Sequence, residues 1–147
     1  SYTDNSDGTL TEHNPRLMWE KKSDDGTIHD WDNTYTWADA FAVHIAGLNA
    51  APGFAGHTDW RLPNVKELQS IVNYETPFLA VSPPFNDNCL SDSTVLTGSC
   101  TQASYYWSST SFAYSSWAAW VVDFFAGHVG APCKCYDLFV RAVRGGL

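Results

Sequence analysis

Basic residues are scarce in this chain: eight Lys and Arg stand against sixteen Asp and Glu, for a formal net charge of −8. Affinity for nucleic acid rests on cations that neutralise phosphates, so the balance argues against a polyanionic partner, and it weakens a heparin-like ligand for the same reason. No apolar run approaches the roughly 20 residues needed to cross a bilayer. The opening Ser1-Tyr2-Thr3-Asp4 is neither basic nor apolar, as a secretory leader would be. A soluble chain without membrane insertion is the expectation. Catalytic signatures are also lacking: there is no glycine-rich phosphate loop, no Ser-His-Asp order with a motif around it, and no metal-ligand constellation. The expectation is therefore no catalytic residue, no cofactor and no bound metal. Internal repeats and long low-complexity tracts are absent too, which removes the solenoids and arrays.

What is present is apolar and aromatic. With 147 residues, 44% of them hydrophobic, the chain suits one well-packed domain over 1–147. Seven Trp add large flat side chains for a core and for contact surfaces. Four cysteines bear on the compartment. Cys89 and Cys100 bracket a Ser/Thr/Asp/Gly-rich loop, which a disulfide would close in an oxidising setting. Cys133 and Cys135, read as Cys-x-Cys in a strand, point to one face and are not expected to bond to each other. Free thiols or bonds to the earlier pair remain open. Zinc held by this pair with His128 lacks the fourth ligand that a structural site needs.

The opening residues read as a hairpin with Asp7-Gly8 in the turn, followed by a strand in which Leu17 and Trp19 share a face. Asp4, Asn5, Ser6 and Asp7 miss the spacing of a calcium loop and its closing Glu, which leaves a polar turn. Thr36 is placed to cap a first helix whose Trp37, Phe41, Ile45 and Leu48 form a buried stripe, with His44 as a hydrogen-bonded residue at its edge. Asn64 and Glu67 form a capping pair for a second helix, with Val65, Leu68, Ile71 and Val72 apolar and a stop before Pro77. From Tyr105 the pattern turns to β. Trp120, Val122 and Phe124 face the core and alternate with Val121, Asp123 and Phe125, which face outward or a partner sheet, and Gly127 turns the chain between 117–125 and 128–136. Two helices followed by a run of strands give an α+β fold, with helices packed against mostly antiparallel sheets. Arg61, Arg141 and Arg144 are expected to be partly buried and paired with Asp59, Glu67 or Asp123, because an unpaired buried guanidinium is costly.

The C-terminal third carries the functional signal. Tyr106-Trp107-Ser108-Ser109-Thr110, Lys134 and Val140-Arg141-Ala142-Val143-Arg144-Gly145-Gly146 form a frame. Between them lie residues with no shared chemistry: Phe112, Tyr114, Asp123, Phe125, Ala126, His128, Gly130, Ala131, Pro132, Cys133, Cys135, Tyr136, Asp137 and Leu138. A catalytic site needs a few residue types in fixed geometry, whereas a binding face accepts a mixed set. These residues, within a segment of about 112–138, are the candidate ligand-binding surface. Folding alone would not call for Pro, Cys, Cys and His in a row of sheet positions.

Several blocks carry a family resemblance: Asp4-Asn5-Ser6-Asp7-Gly8-Thr9, Leu17-Met18-Trp19-Glu20-Lys21, Asp59-Trp60-Arg61-Leu62-Pro63-Asn64-Val65-Lys66-Glu67-Leu68, the Tyr-Trp-Ser-Ser-Thr block and the closing Val-Arg-Ala-Val-Arg-Gly-Gly. Together they resemble the C-terminal domain of collagen-like bacterial adhesins, nearly end to end. The resemblance implies a C-type lectin-like fold. It also implies kinship with ligand-binding proteins diversified by retroelements, in which Asn codons are mutated to other codons of the form NNY. In 125–138 every residue but Lys134 is one such codons encode. The calcium-holding Glu-Pro-Asn, Gln-Pro-Asp and Trp-Asn-Asp motifs of sugar-binding lectins are missing, and Trp31-Asp32-Asn33 is read as a turn or helix entry. The implied function is a non-enzymatic recognition domain, extracellular on a cell or virion surface, that binds a protein or glycan receptor. An analogy with fibre-tip domains, which are often trimers, admits a homo-oligomer. An invariant adhesin module for a glycan or matrix ligand is the second candidate. A lectin-fold enzyme acting on cysteine, through Cys133 and Cys135, is the third.

Overall fold

The computed structural model describes residues 1–146. Its strands are β1 (Tyr2–Asp4), β2 (Thr9–His13), β3 (Arg16–Glu20), β4 (Tyr105–Ser111), β5 (Ala119–Asp123), β6 (Val129–Gly130) and β7 (Val143–Gly145). They form two antiparallel sheets, one ordered β1-β2-β3-β7 and the other β4-β5-β6. With few helices beside these sheets, the fold is α+β, as the pattern of elements predicts.

The first sheet follows from local chemistry. Gly8 turns the opening hairpin at φ 94°, where a Cβ would sit 2.8 Å from Val95 Cγ2. Asp7 accepts hydrogen bonds from the Thr9 amide at 3.0 Å and its hydroxyl at 2.6 Å, and Asp4 pairs with Lys21 at 2.8 Å. Those carboxylates serve the turn, in keeping with a polar loop. Leu17 and Trp19 are buried on one face, with Leu10, Leu68, Phe85, Tyr106, Val122 and Val143 packed around them. No described helix is long and apolar enough to cross a membrane.

The first helix spans 37–49. Thr36 caps it through the Asp39 amide, and its middle, Ala40–Ile45, is π-helical between α-helical ends. The wider π turn moves the buried line. Ala40, His44 and Leu48 are buried, while Trp37, Phe41 and Ile45 of the predicted stripe flank them half-buried. His44 thus lies inside rather than at the edge. The second helix, Val65–Ser70, carries a full capping box: Asn64 accepts from the Glu67 amide and Glu67 accepts from the Asn64 amide, both at 2.8 Å. It ends at Ser70, and Val72 instead bridges Val81.

Val121 and Val122 alternate between the two faces of β5 as expected, but the second face is neither outward nor against a partner sheet. Val121 belongs to a second cluster with Leu62, Trp107 and Val140, while Val122 belongs to the first, so both faces of the strand are covered. Asp123 is 9% exposed and Trp120 only half-buried. The reason is architectural: the main cluster lies on one side of β4-β5-β6, and the first helix with segment 138–140 lies on the other. The turn at Gly127 (φ 83°) is as predicted, but the strand after it is two residues long.

A buried polar hub ties the first sheet to the helix. The Glu20 carboxylate, fully enclosed, accepts from His29 Nδ1 at 2.7 Å, His44 Nε2 at 2.9 Å and the Ala142 amide at 3.0 Å, with Lys22 Nζ at 3.6 Å. Burial opposes its ionisation, yet the charges of His44 and Lys22 and the histidine hydrogen bonds outweigh that and hold the carboxyl well below its usual range. Burial pushes the His44 imidazole and the Lys22 amine down, more than Glu20 lifts them. Arg141 donates to the carbonyls of Glu20 at 2.7 Å and Cys100 at 2.6 Å and to Thr101 Oγ1 at 2.8 Å. Of the three predicted arginine pairs, Arg61–Glu67 at 2.8 Å and Arg144–Asp59 at 2.7 Å form, whereas buried Arg141 is met by oxygen dipoles and not by one of the predicted carboxylates.

Candidate functional site

The sheet β4-β5-β6 and the segment after it shape the surface singled out by the sequence. Tyr105 pairs with Asp123, Trp107 with Val121, and Val121 with Gly130, so these residues share one face. Farther along that face, Leu138 is packed beside Tyr35 against the second cluster. Between sheet and segment lies an open apolar groove of about 420 Å³, lined by Tyr105, Val121, Gly130, Ala131, Pro132, Tyr136 and Leu138. Five of these seven were singled out from sequence: Gly130, Ala131, Pro132, Tyr136 and Leu138.

Main-chain bonds hold the segment in place. Tyr35 and Leu138 exchange bonds of 2.8 and 2.9 Å, the Trp37 amide donates to the Lys134 carbonyl at 3.1 Å, the Lys134 amide to Trp117 at 2.8 Å, the Ala119 amide to Pro132 at 3.3 Å, and the Tyr136 amide to Cys133 at 3.2 Å. Among the side chains, Lys134 contributes the most hydrogen bonds: its ammonium donates to Ser111 Oγ at 3.0 Å and the Ser116 carbonyl at 2.7 Å and sits 4.0 Å above the Trp37 ring. Tyr136 (58% exposed), Asp137 and Cys135 point to solvent.

The other predicted residues fall into two neighbouring groups. At the β4–β5 turn, Phe112 stacks edge-on against Trp120 at 5.2 Å and Tyr114 at 5.5 Å, and Tyr114 is 91% exposed. This turn is tied to the groove segment by the Ala118–Cys133 bridge. At the β5–β6 turn, exposed Phe125 meets Phe78 at 5.6 Å, His128 is exposed and Ala126 half-buried. Asp123 does not join the displayed set. Its side chain accepts from the Phe125 amide at 2.9 Å, and its backbone receives Gly127 and donates to His128, both at 2.7 Å, so it shapes the turn.

The cysteine expectation needs correction. Cys133 and Cys135 are bonded to each other, and Cys89 to Cys100, with no free cysteine among the described residues. The assumption that failed is the strand: the chain turns at Lys134 and Cys135 and bends at Tyr136, and the two cysteine Cα atoms lie 5.2 Å apart. With both thiols consumed, the pair offers no thiolate to a metal with His128. Around Trp31-Asp32-Asn33, the Asp30 carboxylate accepts from the amides of Gly26 at 2.7 Å and Asp32 at 2.8 Å, as a turn requires. Asp24, Asp30 and Asp32 do bring carboxylate oxygens within 4.8 Å of one another, a grouping that their loop spacing did not suggest.

Sequence reasoning left Tyr105, Val121 and Trp117 out of the candidate surface, although the β5 alternation had set Val121 apart from the core-facing residues. Tyr105 and Trp117 are 48% and 66% exposed beside the predicted residues. The signal for Tyr105 was its place in an alternating strand opposite Tyr106, one face of which had to look away from the main cluster.

A family model described as the Lcl C-terminal domain matches residues 8–144. The chain belongs to that family, and an adhesin-like domain is the coarse description the match carries. No curated protein matches the chain.

Proposed function

We propose that this member of the Lcl C-terminal domain family is a non-enzymatic ligand-binding domain of C-type lectin-like fold, displayed on a cell or virion surface. Its contact surface is the groove with Tyr136, Asp137 and Leu138, extended by the aromatic β4–β5 turn and by Phe125 and His128. One observation supports this reading above the others: segment 131–138 is positioned largely by main-chain hydrogen bonds, while its exposed Tyr136 and Asp137 side chains and the groove-lining Ala131 and Pro132 hold nothing in place by hydrogen bonds of their own. A backbone held that way keeps its course whichever side chains it carries. That is the physical condition for an exchangeable binding face, and it favours diversification of 112–138 over a fixed adhesin surface. Exposed Tyr and Trp supply contact area at low rotamer cost. The acidic balance is at odds with a nucleic-acid partner.

The test replaces Phe125, His128, Tyr136 and Asp137 together by Ala and compares melting and binding to a panel of immobilised surface proteins and glycans with the parent chain. Retained melting with lost binding is the expected outcome. Loss of cooperative folding would assign these side chains to the scaffold and end the proposal. Diversification is checked separately, by reading the adjacent DNA for a near-identical template repeat and a reverse-transcriptase gene.

A further inference from the structure

β6 is an edge strand, because the second sheet ends with it. Asp123 and Ala119 donate to His128 and Pro132, so in the β5–β6 register the hydrogen-bonded pairs are 123 with 128, 121 with 130 and 119 with 132. The alternation of an antiparallel ladder then turns the N–H and C=O groups of Val129 and Ala131 away from β5. Among the described residues no bridge or strand lies beyond them. An unpaired edge of this kind is a template for another extended chain.

The groove sits beside that edge. Gly130 lies between Val129 and Ala131 and faces the groove with Val121, and its missing side chain leaves the entrance open: a Cβ there would meet nothing nearer than Val121 Cγ2 at 3.7 Å. Among the lining side chains only the tyrosine hydroxyls are polar, too few to read the several hydroxyl groups of a sugar. Exposed Asp137 lies between the two lining residues Tyr136 and Leu138, in a chain carrying eight more acids than bases (16 − 8). A cation is complementary to that rim, and the open tyrosine faces add to its attraction.

Resting on the ligand-binding reading above, we infer that the ligand is an extended, cationic polypeptide segment that adds as a strand to the Val129–Ala131 edge, sets an apolar side chain over Gly130 into the groove and brings a Lys or Arg to Asp137. Main-chain bonds supply affinity that does not depend on ligand sequence. The displayed side chains around the groove supply the choice.

A phage-displayed library of random linear dodecapeptides is panned against the chain, and the selected peptides are synthesised. Two variants probe the edge and the groove. Val129→Pro removes an outward N–H that the β5 ladder does not use. Gly130→Val fills the groove at a position whose φ is not left-handed. The expected result is enrichment of Lys- or Arg-containing peptides, slowed hydrogen exchange at the Val129 and Ala131 amides on binding, and affinity lower by about tenfold or more in each variant with melting retained. If Val129→Pro does not fold, Gly130→Val and the exchange data decide alone. No enrichment, binding without protection of those amides, or unchanged affinity in both variants overturns the inference. Oligosaccharides that bind the groove and are displaced by Gly130→Val, with no peptide enriched, overturn it too but leave the display reading standing. A panel target lost in the quadruple alanine variant yet retained in Val129→Pro separates the two in the same way.

Discussion

The Glu20 hub and the 129–138 segment hold their shape by opposite means. At the hub, three side chains and one distant main-chain amide converge on one carboxylate, and the polar side chains there depend on one another's identity. In the segment the main chain does most of the holding, helped by Lys134, the Cys133–Cys135 disulfide and the packing of Leu138, while Tyr136 and Asp137 are spectators. A region fixed by side chains cannot vary without loss of structure. A region fixed by its backbone can. Both kinds of support within one small chain are what an exchangeable surface on a constant frame requires.

Removing the hub carboxylate should break the comparison most visibly. Glu20→Ala leaves Lys22 buried without its counter-ion and strips the partners of His29, His44 and the Ala142 amide. Breaking a buried pair from one side costs about 3–5 kcal/mol, seen as a lower urea midpoint and a melting temperature reduced by roughly 10 °C. An effect no larger than that of a surface substitution would show the hub to be dispensable.

Acid should weaken the hub more gradually and leave the segment unaffected. His44 is held below its ordinary value by burial, so the unfolded chain takes up a proton first, and stability present above about pH 6.5 declines below it. The neutral ring donates through Nε2, and its Nδ1 has no partner to receive a second N–H. Glu20, held well below the ordinary carboxylate range, contributes stability above about pH 4.5 that is lost as pH falls toward its folded-state value. Urea midpoints should therefore fall in two stages from pH 7 to pH 4 and below. In Glu20→Gln the second stage should shrink. A flat profile over that range would contradict the assignment.

Sequence disclosed the parts whose partners are near in the chain. The Asp7-Gly8 hairpin, the Thr36 cap and the Asn64–Glu67 box are each written within a few residues, and their geometry is as read. The hub was not legible, because Glu20 meets His44 24 residues away and Ala142 122 residues away, and no spacing records such a meeting. Glu20, Lys21 and Lys22 follow Trp19 as a run of charges, and nothing in that run marks its members as buried. β5 misled for a related reason: alternation left its second face to solvent or a partner sheet, but the first helix covers that face and makes Val121 as buried as Val122. For the groove, chemical incoherence pointed to Gly130, Ala131, Pro132, Tyr136 and Leu138, whereas Tyr105 and Val121 enter only through strand register. The Cys133–Cys135 bond was hidden by the assumption of a strand where the chain turns.

Lys134 sharpens the comparison at its boundary, since it is the residue of the segment whose charged side chain ties it to other parts of the fold. Its ammonium binds Ser111 Oγ and the Ser116 carbonyl and covers the Trp37 ring, which links the β4–β5 turn, the helix start and the groove segment at one point. Lys134→Ala should cost about 1 kcal/mol, the scale of one exposed cation–π contact with its hydrogen bonds. The same change at Tyr136 should stay within about 0.5 kcal/mol. The more telling readout is local: amide exchange at Cys135 and Tyr136 should quicken in Lys134→Ala while exchange at Trp19 and Val122 stays slow, because the hub and the main cluster are untouched. Equal, small effects at Lys134 and Tyr136 would mean the main chain alone suffices and no side chain in the segment belongs to the frame. A large effect at Tyr136 would mean the reverse, that the displayed residues support the fold, and the contrast between the two regions would no longer stand.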